Sequence, residues 1–212
     1  MAGAGVMLPS LFSWCLKRSI QGVEFLAGIP GTVGGAVAMN AGAWGSETAD
    51  LLEKITILLS DGTITTIGRD NLSFSYRKWH GPEEAIVLQA FFRLKKGEKE
   101  KIRAKCQELL DHRRHCQPLT FASSGSFFKN PSGMSAGQLI DTAGLKGLKR
   151  GGAMVSREHG NFIVNTGCAS ADDIISLMRE IQEKVYQQFH VSLEPEVHFL
   201  ACSLQRNEKE TA

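Results

Sequence analysis

The sequence predicts an α+β fold in which mixed, largely antiparallel sheets carry flanking helices, and three observations lead to it. Asp61-Gly62 sits between two apolar, β-branched runs, and Asp-Gly accepts the positive φ values of a tight turn, so the runs read as an antiparallel hairpin. Two stretches, Glu98 to His115 and Ala171 to Phe189, repeat apolar residues at helical spacing. Short apolar strands at Phe162 to Val164 and Val197 to Leu200 complete the second half.

In chain order, the first half reads as strands joined by glycine turns. Leu51 to Leu59 and Thr63 to Ile67 form the hairpin, and Ala85 to Leu94 adds a strand. From Glu98 to His115, the stripe of Ile102, Cys106, Leu109 and Leu110 faces a core while the charged flank faces water. This helix links two subdomains, residues 1–100 and 101–203, followed by a loose tail, 204–212. Ser135 is placed to cap a helix, with Gln138 three residues on for a capping box and Gly144 or Gly147 as the stop. Ser170 with Asp173 opens the longer helix, whose stripe of Ile174, Met178, Ile181, Val185 and Phe189 is core packing.

Composition excludes some function classes. A formal charge of +2 is too small to imply a nucleic-acid or membrane partner. No apolar run reaches the roughly 18 residues of a membrane span, and no secretory signal opens the chain, which predicts a cytoplasmic protein. The five cysteines are scattered without a C-x-x-C pair, so no disulfide framework or zinc knuckle is indicated. His112, His115 and Cys116 have metal-compatible helical spacing, but they lie on a basic amphipathic helix and read as ordinary side chains; no metal is expected.

Two segments carry chemistry. Gly28 to Gly35 (Gly-Ile-Pro-Gly-Thr-Val-Gly-Gly) with Gly42 removes side chains along a short loop, so backbone N–H groups can approach a pyrophosphate. It matches neither G-x-G-x-x-G after a strand nor a P-loop, and a purely steric turn is the alternative. Gly125 to Pro131 (Gly-Ser-Phe-Phe-Lys-Asn-Pro) places a hydroxyl beside two aromatics, with an ammonium and a carboxamide following, as a proton donor to carbon requires. Its alternative is a glycine turn leading into a buried Phe-Phe strand.

Further segments follow in fixed order: Met39 to Gly42, Phe74 to Arg77 (Phe-Ser-Tyr-Arg), Ala136 to Asp141 with Ala143 to Gly147, His159 to Asn165 (His-Gly-Asn-Phe-Ile-Val-Asn), and Leu193 to Val197 (Leu-Glu-Pro-Glu-Val). The series resembles the UDP-N-acetylenolpyruvoylglucosamine reductase family from about Gly3 to Leu200. The resemblance implies a flavin-binding domain of the PCMH or vanillyl-alcohol-oxidase-like type, with its second subdomain in residues 1–100, and a UDP-sugar substrate domain in 101–203. It implies FAD and NADPH as cofactors, UDP-N-acetylglucosamine enolpyruvate as substrate, UDP-N-acetylmuramate for peptidoglycan as product, and a monomer.

In the family, NADPH reduces FAD, and a hydride then passes to the terminal carbon of the enolpyruvyl ether while charge develops on the substrate carboxylate. By resemblance, Arg77, Ser126 and Glu196 form the catalytic set. Arg77 grips the carboxylate in a guanidinium fork, Ser126 protonates the carbon next to it, helped by Lys129 or a water, and Glu196 hydrogen-bonds or protonates the developing oxyanion. Taken alone, each has an ordinary structural role: strand end, turn former, strand-edge carboxylate. Gly28, Ile29, Pro30, Gly31, Thr32, Gly34, Gly35, Asn40 and Gly42 are the expected cofactor contacts. Trp44, Tyr76, Arg113, Arg114, Gln117, Lys129 and Asn130 are the expected substrate contacts, with the choice between the two arginines open.

The chain departs from the family pattern in three places. It begins where the family's N-terminal subdomain is ending, so poor FAD retention is expected, and a flavin-free UDP-sugar-binding module is the alternative function. Lys78-Trp79 follows Arg77 where a small residue and a serine are usual, and Trp44 stands for the commoner tyrosine, keeping stacking without the hydroxyl. The short link from Pro131 to Ala136 resembles the subclass without the long insertion.

Overall fold

The structure, a computed structural model, describes residues 1–200. The expected tail at 204–212 and Cys202 lie outside the described residues. The chain divides into two compact units, Met1–Arg113 and Arg114–Ala212. The sequence-based boundary at 100 falls at the start of the basic amphipathic helix, whereas the structural division falls near its end.

The first unit is built on a four-stranded antiparallel sheet in the order Ala2–Gly3, Ile86–Phe92, Leu52–Leu58, Ile64–Gly68. The Asp-Gly hairpin forms as expected: Leu58 pairs with Ile64, Gly62 takes φ +85°, and Asp61 Oδ1 accepts the Thr63 N–H at 2.8 Å. Ile55, Ile57 and Ala90, all at 0 % exposure, form the buried face of the sheet.

The first fifty residues are more helical than the glycine turns suggested. Helices α1 (Leu8–Lys17), α2 (Val33–Ala38) and α3 (Thr48–Leu51) pack there. Helix α1 buries Leu8, Leu11 and Cys15. Helix α2 lies inside the run expected to be a loop. Val33 and Val37 are fully buried, and the burial of this face outweighs the poor helix propensity of Gly34 and Gly35. Gly34 is needed for packing, because a Cβ there would stand 2.8 Å from the Ala4 side chain.

Helix α4 (Lys99–Cys116) buries Ile102, Cys106 and Leu109, as its stripe predicts. Most of it belongs to the first unit because its last turns pack on the loop after Phe25. A Cβ on Gly28 would lie 3.1 Å from both Leu110 and Arg113.

The second unit has a four-stranded antiparallel sheet, Ala122–Ser126, Phe162–Asn165, Ala153–Val155, Lys149–Arg150. Its core joins Phe127, Phe128 and Ile140 to Leu177, Ile181 and Val185. Helix α5 (Ala136–Thr142) is capped by Ser135, whose hydroxyl accepts the Gln138 N–H at 3.3 Å; of the expected box, this half is seen. Gly144, at φ +70°, follows its C-cap, as expected.

Helix α6 (Ala171–Phe189) has the full capping box of Ser170 and Asp173. Its inner face includes Ile175 and Leu177 besides the expected stripe. The strand expected at Val197 to Leu200 does not form. The chain instead pairs briefly with Phe128 at Pro195, which has no N–H to continue a ladder, and His198 to Leu200 are exposed.

Ile181 at 0 % exposure tests the second core. Ile181→Ala should cost about 2–5 kcal/mol, read as a fall in the urea midpoint without a change in slope.

Candidate functional site

In the first unit two short hairpins meet. Gly42–Ala43 pairs with Ser46–Glu47 across Trp44-Gly45, both at positive φ (+58° and +79°), as a two-residue turn matching strand twist requires. Phe74–Ser75 pairs with Lys78–Trp79 across Tyr76-Arg77, with Arg77 at φ +57°. A left-handed arginine is unusual and marks a position where the fold holds a side chain against local preference.

Arg77 Nη1 donates to the Gly42 carbonyl at 3.3 Å, and its guanidinium lies 5.0 Å from the Tyr76 ring centroid. Gly42 must be glycine for the first hairpin to close, since a Cβ would meet the Ser46 carbonyl at 2.7 Å.

The expected cofactor contact Asn40 is 1 % exposed and engaged at both ends. Its Oδ1 accepts the Ala49 N–H at 3.0 Å, and its Nδ2 donates to the Ser75 carbonyl at 3.3 Å. The carboxamide thus ties the arginine hairpin to α3.

Trp44, 46 % exposed, stands edge-on to His112 at 4.5 Å, with the Arg113 guanidinium 5.8 Å from its centroid. Arg113 is half-buried, and its Nε has no hydrogen-bond partner among the described residues. Burial pulls its pKa below the ordinary arginine value. Beside it run the glycines: a Cβ on Gly28 would stand 3.1 Å from Arg113, while one on Gly31, at φ +127°, would meet nothing within 4 Å. Thr32 caps α2, its hydroxyl accepting the Gly35 N–H at 3.3 Å, Ile29 packs against the core, and Pro30 is exposed. Two guanidiniums, two exposed rings and a side-chain-free opening suit a planar, anionic ligand. Among the described residues no group of three or more His, Cys, Asp or Glu side chains is placed to hold a metal ion.

In the second unit, Ser126 ends a strand with a bulge. Ser123 pairs with Val164 but Ser126 with Phe162, so one extra residue is accommodated, and Gly125 takes φ +84° to do so. The chain then dives into the core as Phe127 (3 % exposed) and Phe128 (1 %).

Their backbone is shared between two segments. The Phe127 N–H donates to the Asn161 carbonyl and the Phe127 carbonyl accepts the Glu196 N–H, each at 2.8 Å. The Lys129 N–H donates to the Glu194 carbonyl, also at 2.8 Å. Ser126 and Glu196 are therefore brought onto neighbouring antiparallel segments, and Glu196 is half-buried.

Lys129, expected to assist Ser126, has its ammonium against the Glu194 carboxylate. Asn130 Oδ1 accepts the Ala136 N–H at 3.0 Å and closes the short loop onto α5. Arg114 is exposed and Gln117 half-buried.

Sequence reasoning quoted the His159 to Asn165 segment but gave Asn161 no role. Its buried side chain accepts the Phe128 N–H at 2.9 Å and donates to the Phe128 carbonyl at 2.8 Å. The available signal was a lone carboxamide between Gly160 and the apolar run from Phe162. The Asn161 N–H in turn donates to His159 Nδ1 at 3.1 Å, which requires that nitrogen to be unprotonated. Burial, then the charge of Lys146, hold the His159 pKa below its ordinary value.

Comparison with known proteins follows the two units. Residues 117–200 match the family described as "UDP-N-acetylenolpyruvoylglucosamine reductase, C-terminal domain", and residues 1–68 match "FAD binding domain". The chain is 48% identical over 199 residues to a protein of Syntrophus aciditrophicus (strain SB) named UDP-N-acetylenolpyruvoylglucosamine reductase, covering 94% of this chain and 64% of the relative. A protein of that name from Agathobacter rectalis is 47% identical over 200 residues, with the same coverages of 94% and 64%. The crystal structure of UDP-N-acetylenolpyruvylglucosamine reductase from Thermus caldophilus superposes with a TM-score of 0.83 at 44% identity, covering 92% of this chain and 70% of that one. The chain thus spans 64% of the length of these two curated relatives.

His159 supplies a pH test. With a folded pKa below the unfolded value of about 6.5, the unfolded chain binds the extra proton as pH falls. Stability should be complete above pH ~6.5 and decline below it, and His159→Gln should lose that part of the slope in urea melts taken from pH 7 to 5.

Proposed function

Because the chain belongs to the UDP-N-acetylenolpyruvoylglucosamine reductase family, we propose that it serves the reduction of UDP-N-acetylglucosamine enolpyruvate to UDP-N-acetylmuramate, with FAD as resident cofactor and NADPH as reductant. The observation that carries this reading is the attachment of Glu196 to the chain beside Ser126, through the 2.8 Å bond from the Glu196 N–H to the Phe127 carbonyl. A proton donor and a carboxyl on adjoining segments suit a reaction that adds hydrogen to carbon next to a carboxylate.

The first unit fits a flavin by two features: the open, side-chain-free surface at Gly31 and the unused Arg113 Nε beside Gly28. Gly28, Gly31 and Thr32 would hold it, next to Arg113. When bound, the flavin supplies the hydride.

The remaining roles belong to the chain. Arg77, held at its hairpin turn by the bond to the Gly42 carbonyl, would supply the guanidinium for the substrate carboxylate. As the terminal carbon gains hydride, the π electrons of the carbon–carbon double bond move toward that carboxylate. Glu196 stabilises the charge by hydrogen bonding, and the Ser126 hydroxyl delivers a proton to the carbon that bears the carboxylate. Solvent restores the serine proton.

The test uses the flavin-loaded enzyme and separates the half-reactions by stopped-flow absorbance. In Ser126→Ala, flavin reduction by NADPH should be unchanged, while reoxidation by the enolpyruvyl substrate slows by about 10² or more. Glu196→Gln should bind substrate normally and slow the same step by about 10². Equal slowing of both half-reactions, or none, would remove these residues from their roles.

A further inference from the structure

We infer that Asn161 is a positioning residue that sets the spacing between Ser126 and Glu196; the inference rests on the reading above that these two side chains serve the reduction of the enolpyruvyl carbon. Asn161 is 4 % exposed and makes three bonds to two consecutive residues. Its backbone carbonyl accepts the Phe127 N–H at 2.8 Å, its Oδ1 accepts the Phe128 N–H at 2.9 Å, and its Nδ2 donates to the Phe128 carbonyl at 2.8 Å. A carboxamide can serve both polar groups of one residue and so replaces the strand that would otherwise pair there.

Phe127 is the hinge of the arrangement. Its N–H is held by Asn161, its carbonyl holds the Glu196 N–H, and Ser126 is its chain neighbour. A shift of the Phe127 and Phe128 peptides therefore moves serine and glutamate together with the backbone between them.

Asn161 is itself immobilised. Its N–H donates to His159 Nδ1, and Gly160 packs so closely that a Cβ would stand 2.5 Å from the Gly137 carbonyl of α5. The clamp thus ties the positions of Ser126 and Glu196 to the buried face of α5.

Asn161→Asp keeps the acceptor but sets a carboxylate oxygen against the Phe128 carbonyl, whereas Asn161→Ala removes both bonds. In the flavin-loaded enzyme both substitutions should leave reduction by NADPH unchanged and slow reoxidation by the enolpyruvyl substrate about 10- to 100-fold, the scale of an ångström-sized misplacement. Hydrogen exchange at single amides gives a reading independent of activity. The Phe128 and Glu196 amides should exchange at least about tenfold faster, with helix α6 unaffected.

Acceleration of all amides together, or equal slowing of both half-reactions, would reduce Asn161 to a stability residue and overturn the inference. Unchanged exchange at Glu196 would overturn it too. A wild-type enzyme that is not reoxidised by the enolpyruvyl substrate would instead bring down the proposed function, and the catalytic part of this inference with it, while the exchange result would still show whether Asn161 holds Glu196.

Discussion

Burying two consecutive phenylalanines forces their peptide groups out of water as well, and a buried peptide without partners costs more than the rings alone can offset. In the second unit Phe127 and Phe128 are therefore paired by segments from two other parts of the chain. The His159 loop supplies one side and the Glu194 to Glu196 segment the other. Ser126 and Glu196, both half-buried, are thus placed by hydrogen bonds made at the edge of the core. Asn130 and Ser135, which hold the start of α5, extend the same frame.

The first unit solves its positioning problem differently. Here the exposed groups sit on turns, and turns have few contacts of their own. A single buried carboxamide, Asn40, ties the arginine hairpin to helix α3. Arg77 then reaches back to the Gly42 carbonyl, so the two hairpins support each other. Trp44 is framed by α4, whose last turn brings His112 and Arg113. Rigid elements fix the loops, and the loops present the side chains.

How much of this was legible follows from the range of each interaction. The Asp61-Gly62 hairpin, α4 and α6 depend on neighbours in sequence, and their bounds match the structure within a residue or two. Helix α2 was not legible, because its glycines argue against a helix and the burial of Val33 and Val37 overrides them. The strand expected at Val197 did not form although its residues have strand character: the segment pairs with Phe128 only at Pro195, which has no N–H to extend a ladder. Ser126 and Glu196 were singled out by their motifs, yet their attachment on adjoining segments was not legible, since it joins distant stretches of the second unit. Asn161 bonds Phe128 across 33 positions and Asn40 bonds Ser75 across 35, distances over which spacing carries no signal. Lys129 and Glu194, 65 apart, likewise meet only in the fold.

The left-handed backbone at Arg77 sets stability and use against each other at one position. An arginine in that conformation costs on the order of 1 kcal/mol or more that a glycine would not. Screening variants of this chain for thermal robustness would therefore favour glycine at 77, and the sturdier protein would have lost the guanidinium proposed to grip the substrate carboxylate. Robustness gained at this turn is a warning sign, and variants chosen by melting temperature alone should be sequenced there first.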